Sequence, residues 1–166
     1  MVQAGRHFLQ IPGPTNVPDR VLRAMSAPVI DHRSAEFAAL AHQVLAGLQP
    51  VCGTTGPVIV YPSSGTGAWE AALVNTLSPG DRIVAFETGH FATLWRRMAE
   101  RFGLRVDFMP GDWRRGASPE QLHDLLSADR GHEVQAVTVV HNETSTGVLS
   151  RLPELRQAMD EAGHPA

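Results

Sequence analysis

The chain has 166 residues and 18.0 kDa, with 43% hydrophobic and 19% charged residues and a formal net charge of -3, a composition that excludes a disordered chain and suits one domain burying about 70% of its unfolded surface. All 14 basic residues are arginine and are mixed with 17 acidic ones, so there is no basic stripe for a phosphate backbone and nucleic acid is not expected as a partner. A single cysteine, Cys52, excludes an internal disulfide or a cysteine-built zinc site, and with no apolar run of about 18 residues and no secretory leader pattern the chain reads as soluble, cytoplasmic and free of membrane.

Residues 1–18 are punctuated by Pro12, Gly13, Pro14 and Pro18 and read as an irregular arm. In 34–48, Phe37, Leu40, Ala41, Val44, Leu45 and Leu48 recur at helical spacing behind Ser34, a suitable N-cap. The β-branched run 57–61, closed by Pro62, predicts a strand, and 66–77 predicts a helix ended by Ser78-Pro79-Gly80-Asp81. The unit then repeats. Strand 82–86 precedes helix 90–102, stopped by Gly103, and strand 104–109 follows. Ser118-Pro119-Glu120 opens a helix to about 128 with Pro at the favoured first position, strand 135–140 leads into a loop over 141–150, and 153–161 is a last helix ending at Gly163. This alternation predicts an α/β fold with a mainly parallel sheet covered by helices on both faces. Residues 161–166 have the form of a helix end leading into a further strand, so the domain is expected to be incomplete, with an exposed edge at its last strand.

Three turns carry the chemistry. Ser63-Ser64-Gly65-Thr66-Gly67 opens a helix, where glycines let the backbone turn and the first free N–H groups can bind an anion. It lacks the Gly-Lys-Ser/Thr ending of a nucleoside-triphosphate loop. A dinucleotide fingerprint is the second reading, with Glu87 about twenty residues on, but Glu70 stands at the third glycine position. A tight connection that binds nothing stays equally open. Glu87-Thr88-Gly89-His90-Phe91 and His141-Asn142-Glu143-Thr144-Ser145-Thr146-Gly147 follow the next strands, and in open parallel sheets ligands bind beyond the carboxyl ends of strands, so the three turns are expected to share one crevice. Taken singly, His90 could cap a helix, Phe91 could be core and 144–146 could be a solvated turn. No His-Glu-x-x-His or Gly-x-Ser-x-Gly occurs, so no metal is expected and Ser63 and Ser64 suit anion ligands better than nucleophiles. Asp31-His32-Arg33 reads as a helix start with interface salt bridging. Asn142-Glu143-Thr144 matches a glycosylation acceptor but lacks the secretory context.

In order and spacing, Pro12-Gly13-Pro14-Thr15-Asn16-Val17-Pro18, the segment from Ser63 through Leu73, and the segment from His141 through Val148 resemble the class V pyridoxal-phosphate aminotransferases, with the nearest likeness to the serine-glyoxylate and alanine-glyoxylate types. The resemblance implies part of the large domain of the type I pyridoxal-phosphate fold, with 1–18 as an N-terminal arm and 19–166 as the incomplete domain. It implies that Ser64, Gly65 and Thr66 hold the cofactor phosphate, that Phe91 stacks on its ring, that the Thr144 hydroxyl approaches the ring oxygen, and that Gly13 and Pro14 line the substrate entrance. It implies an amino acid and a 2-oxo acid as substrates, glycine as product, and a homodimer. The sequence departs from the family in one decisive respect: transamination needs a lysine that joins the cofactor and moves a proton, and these 166 residues contain none. Arginine, protonated at any ordinary pH, cannot replace it. The chain by itself is therefore expected to be inactive, with no catalytic residue of its own. A dinucleotide-binding module and a non-catalytic interaction domain are the alternatives.

Overall fold

The computed structural model describes residues 8–166, so the first seven residues of the expected arm lie outside the described residues. The chain divides into two units, 1–62 and 63–166. In the first, residues 8–18 form no helix or strand, as Pro12, Pro14 and Pro18 lead one to expect. Helix α1 (Asp19–Met25) follows, unanticipated from the sequence although Asp19 stands in its first turn. Helix α2 (Ala35–Val51) starts where expected, because the Ser34 hydroxyl accepts from the Phe37 N–H at 3.1 Å. No described residue of this unit is fully buried.

One expected element is absent. Residues 57–61 form no strand, and Ile59 and Val60 are 68% and 65% exposed. A β-branched run signals a backbone suited to a sheet, but a strand exists only where a neighbour supplies the ladder, and no described strand pairs with this one.

The second unit contains α3 (Gly65–Thr76), β1 (Arg82–Phe86), α4 (His90–Arg101), β2 (Arg105–Met109), α5 (Pro119–Ala128), β3 (Val134–Thr138), β4 (Asn142–Glu143), β5 (Val148–Leu149) and α6 (Leu152–Ala162). Strands β2, β1 and β3 form a parallel sheet in that order, with Ile83 opposite Val106 and Ala136. β1 is central and, past Arg82, apolar because helices cover both faces. Its alternate residues Val84 and Phe86 pack with Leu122, Leu126 and Leu155 of α5 and α6, while Ile83 packs with Leu73 and Ala99 of α3 and α4 and with Leu104. The α/β architecture expected from the sequence is the one observed. The short antiparallel pair β4–β5 lies inside the expected loop 141–150. Two residues per strand leave too little alternation to read.

The amino ends of the strands are closed by polar contacts. Arg82 Nε donates to Asp107 Oδ2 at 2.8 Å and its guanidinium lies 3.5 Å from Asp129. Asp129 also accepts from the Val134 N–H at 2.9 Å and lies 3.1 Å from Nε2 of the buried His164. The Val134 N–H, against the cost of burial and with help from His164, holds the Asp129 carboxyl below its ordinary value. That leaves the opposite, carboxyl edge for the turns that carry the chemistry. Among the described residues no helix is long and apolar enough to cross a membrane.

Candidate functional site

The turn after β1 and the turn after β3 are joined through the start of α4. Glu143, only 1% exposed, aims its carboxylate at that helix end. Its Oε1 accepts from the Phe91 N–H at 3.3 Å, the Ser145 N–H at 3.1 Å and the Ser145 hydroxyl at 2.6 Å, and its Oε2 accepts from the Ala92 N–H at 3.0 Å. The Ser145 hydroxyl in turn accepts from the His90 N–H at 2.9 Å, and the Thr146 hydroxyl donates to the Thr88 carbonyl at 3.2 Å. The first three N–H groups of α4, which a helix leaves without internal partners, are thus satisfied by a turn about fifty residues further along the chain. Gly89 makes the approach possible: a Cβ there would lie 2.5 Å from Glu143 Cγ and 2.6 Å from Ser145 Oγ.

Burial alone would raise the Glu143 carboxyl, but the Ser145 hydroxyl and then the Ala92, Ser145 and Phe91 N–H groups outweigh it and hold the group below its ordinary value of 4.5. A depressed carboxylate contributes stability above its unfolded pKa and loses it as pH falls through the folded one. Unfolding free energy should therefore decline on acidification from about pH 4.5 downwards. Chemical denaturation of wild type and Glu143→Gln across pH 3–7 should show a weaker acid dependence in the variant, with Asp129 and Glu120, also held below their ordinary values, contributing to what is left; equal slopes would contradict the assignment.

The third turn opens α3. The Ser64 hydroxyl accepts a long 3.4 Å bond from the Thr66 N–H, and the Gly67 N–H donates to the Ser64 carbonyl at 3.0 Å. Ser63 through Thr66 are exposed, and a Cβ on Gly65 would meet nothing within 4 Å, so the space in front of this helix end is open. One turn into α3, Trp69 meets Phe91 edge to face at 6.1 Å between ring centres and stacks on Trp95 at 5.3 Å. Phe91 is half-buried and Thr144 is exposed at the tip between Glu143 and Ser145. The structure thus ties Phe91 to the 143–146 turn by hydrogen bonds and to α3 by aromatic contact. Gly13 and Pro14 sit on a bend of the first unit, exposed, and joined by a cis peptide bond.

Two helix N-termini are available here, and they differ. That of α4 is already filled by a buried carboxylate, so a second anion there would meet like charge. That of α3 is open and carries a hydroxyl, and Thr66 and Trp69 border a cleft of about 380 Å3 that is also lined by Glu70, Arg97 and Arg101. An anion placed at this edge belongs at α3. The Glu87 carboxylate, which the dinucleotide reading would set on a ribose, accepts from the Trp113 indole N–H at 3.3 Å through Oε1. A separate cavity of about 280 Å3 lies between the ends of β1 and β2 and the start of α5, lined by Thr88, Asp112, Arg115 and Gln121 among others, and none of Ser64, Phe91 and Thr144 lines it. Sequence reasoning placed Glu143, Gly89 and Ser145 on the right edge without finding their pairing. The signal that could have found it is a glycine just before a helix lacking a cap of its own.

Comparison with known proteins gives the same direction. The Aminotransferase class-V family model matches residues 7–164. The serine–glyoxylate aminotransferase of Methylorubrum extorquens is 49% identical over 98% of this chain and 40% of its own length. The L-aspartate–glyoxylate aminotransferase of Paracoccus denitrificans is 45% identical over 94% of this chain and again 40% of its own. In the crystal structure of an alanine–glyoxylate aminotransferase from Nostoc sp., 98% of this chain superposes on 43% of that one with a TM-score of 0.83 and 30% identity. The chain spans about 40% of the length of the curated relatives it matches.

Proposed function

This chain belongs to the class-V aminotransferases, and from that premise we propose that it forms the phosphate- and ring-holding part of a pyridoxal-phosphate enzyme that transfers the amino group of serine, or of alanine, to glyoxylate. The observation that supports the reading is the open, hydroxyl-bearing start of α3 at Ser64, on a helix whose Trp69 meets Phe91, itself held by hydrogen bonds to the turn that carries Thr144. The residues suit the cofactor. Ser64, whose hydroxyl proton is not committed, and the first N–H groups of α3 would hold the phosphate dianion. Phe91 would offer a face to the pyridine ring and Thr144 a hydroxyl to its ring oxygen. When bound, the cofactor supplies the electron sink that lets an amino acid give up its α-proton.

The remaining steps fall to residues with no counterpart here. A primary amine is needed to join the cofactor and to move the proton, and these 166 residues offer no lysine for it. We place 1–18 as an arm whose Gly13 and Pro14 border the substrate entrance, and 19–166 as a portion of the cofactor-binding large domain. The partners are then an amino acid, a 2-oxo acid and a second copy of the same protein. The names of the relatives support glyoxylate as acceptor and leave serine ahead of alanine and aspartate by likeness alone.

The expected result with this chain is reversible cofactor binding without chemistry. Incubated with pyridoxal phosphate, serine and glyoxylate, it should form no glycine, and borohydride should fix no cofactor to an internal side chain, as read by mass spectrometry of its peptides. An internal adduct, or turnover, would refute the assignment of the missing amine.

A further inference from the structure

Resting on the reading just given, we propose that Glu143 and Ser145 are positioning residues for the cofactor ring: a buried latch that fixes Phe91 through its backbone. Phe91 is the second residue of α4, and its ring direction follows from the path of the first turn of that helix. All three N–H groups of that turn are held from the 143–145 side: His90 by the Ser145 hydroxyl, Phe91 and Ala92 by the two oxygens of Glu143. The Ser145 hydroxyl donates to Glu143 Oε1 while it accepts from His90, so the two side chains act as one unit. Carboxylate hydrogen bonds of this kind are among the strong ones, and this carboxylate is 1% exposed. The same two residues flank Thr144, the hydroxyl assigned to the ring oxygen. The latch therefore sets the spacing between the two groups that would face the ring, without touching it.

The latch leaves the Ser64 turn alone, since no bond joins it to residues 63–67. A positioning role and a purely structural role then separate by ligand. Pyridoxal phosphate samples both the phosphate turn and the ring-facing pair, whereas inorganic phosphate samples the phosphate turn only. In Glu143→Gln the amide nitrogen faces an N–H donor and the first turn of α4 loses one acceptor and its counter-charge. The dissociation constant for pyridoxal phosphate, followed by quenching of tryptophan fluorescence, should rise about tenfold, while the constant for inorganic phosphate, measured as a competitor, should stay within about twofold. Ser145→Ala, which deletes the smaller partner, should show the same split at about threefold and serves if Glu143→Gln does not fold. Wild-type affinity for pyridoxal phosphate in a folded variant would overturn the latch while leaving the proposed function standing. Equal weakening toward both ligands would overturn it as well, since the effect would then be general loosening. Absence of any pyridoxal phosphate binding by wild type would instead overturn the reading on which the latch rests.

Discussion

Replacing Gly89 by alanine is expected to lower the unfolding free energy by about 3 kcal/mol, far more than the same change at the other glycine that opens a helix here. The backbone at Gly89 is extended, with φ 161°, so any residue could adopt it, and the cost is one of space alone. The added methyl would sit 2.5 Å from Cγ and 2.6 Å from Cδ of a carboxylate that four hydrogen bonds hold in place. Either the carboxylate moves and strands the N–H groups of Phe91 and Ala92, or the helix start moves and the Phe91–Trp69 contact opens. Forced repacking and the loss of charge-assisted bonds both contribute. For a chain of this size the thermal midpoint should fall by about 6–12 °C. Gly65→Ala is the control: its Cβ meets nothing within 4 Å, and its effect should stay within about 0.5 kcal/mol. Equal effects at the two positions would mean that the carboxylate does not occupy the space in front of Gly89.

The second large effect concerns binding without stability. Ser64→Asp keeps a favoured N-cap residue, so α3 should remain as stable as in wild type. It exchanges a hydroxyl that can donate to a phosphate oxygen for a charge that repels one. At the separation of such groups the repulsion and the lost bond together are worth about 2 kcal/mol near a protein surface, or roughly a thirtyfold weaker complex. Affinity for pyridoxal phosphate and for inorganic phosphate should fall together, unlike the split expected of the latch. Unchanged binding in Ser64→Asp would remove the phosphate from α3.

The elements whose signal is local were legible in the sequence. Ser34 and Ser118 each cap the helix they precede, Pro119 begins one, and Gly163 ends one in the left-handed conformation at φ 64°. The central strand was legible because a strand covered on both faces is apolar throughout, as 82–86 is past Arg82. Residues 57–61 show the limit of that rule, since β-branched residues describe a backbone able to join a sheet and say nothing of whether a neighbour is there. The turns after β1 and β3 could be placed on one edge from topology alone, whereas the Ser64 turn, whose expected strand over 57–61 is absent, is linked to them through the contact of Trp69 with Phe91. The buried carboxylate between the turns after β1 and β3 could not, because Glu143 looks in sequence like any acidic residue in a polar turn. Only the folded chain shows that it serves as the cap α4 lacks, Gly89 having no side chain to do so.

The account stands on three turns facing one cofactor, and mapping amide shifts of the isotope-labelled chain during titration with pyridoxal phosphate tests this most directly. Saturable shifts should concentrate in 64–67, 88–92 and 143–146, with the Ser64 turn alone responding to inorganic phosphate. Shifts gathered instead around Asp112, Arg115 and Gln121, or divided so that only one of the three turns responds to the full cofactor, would contradict it.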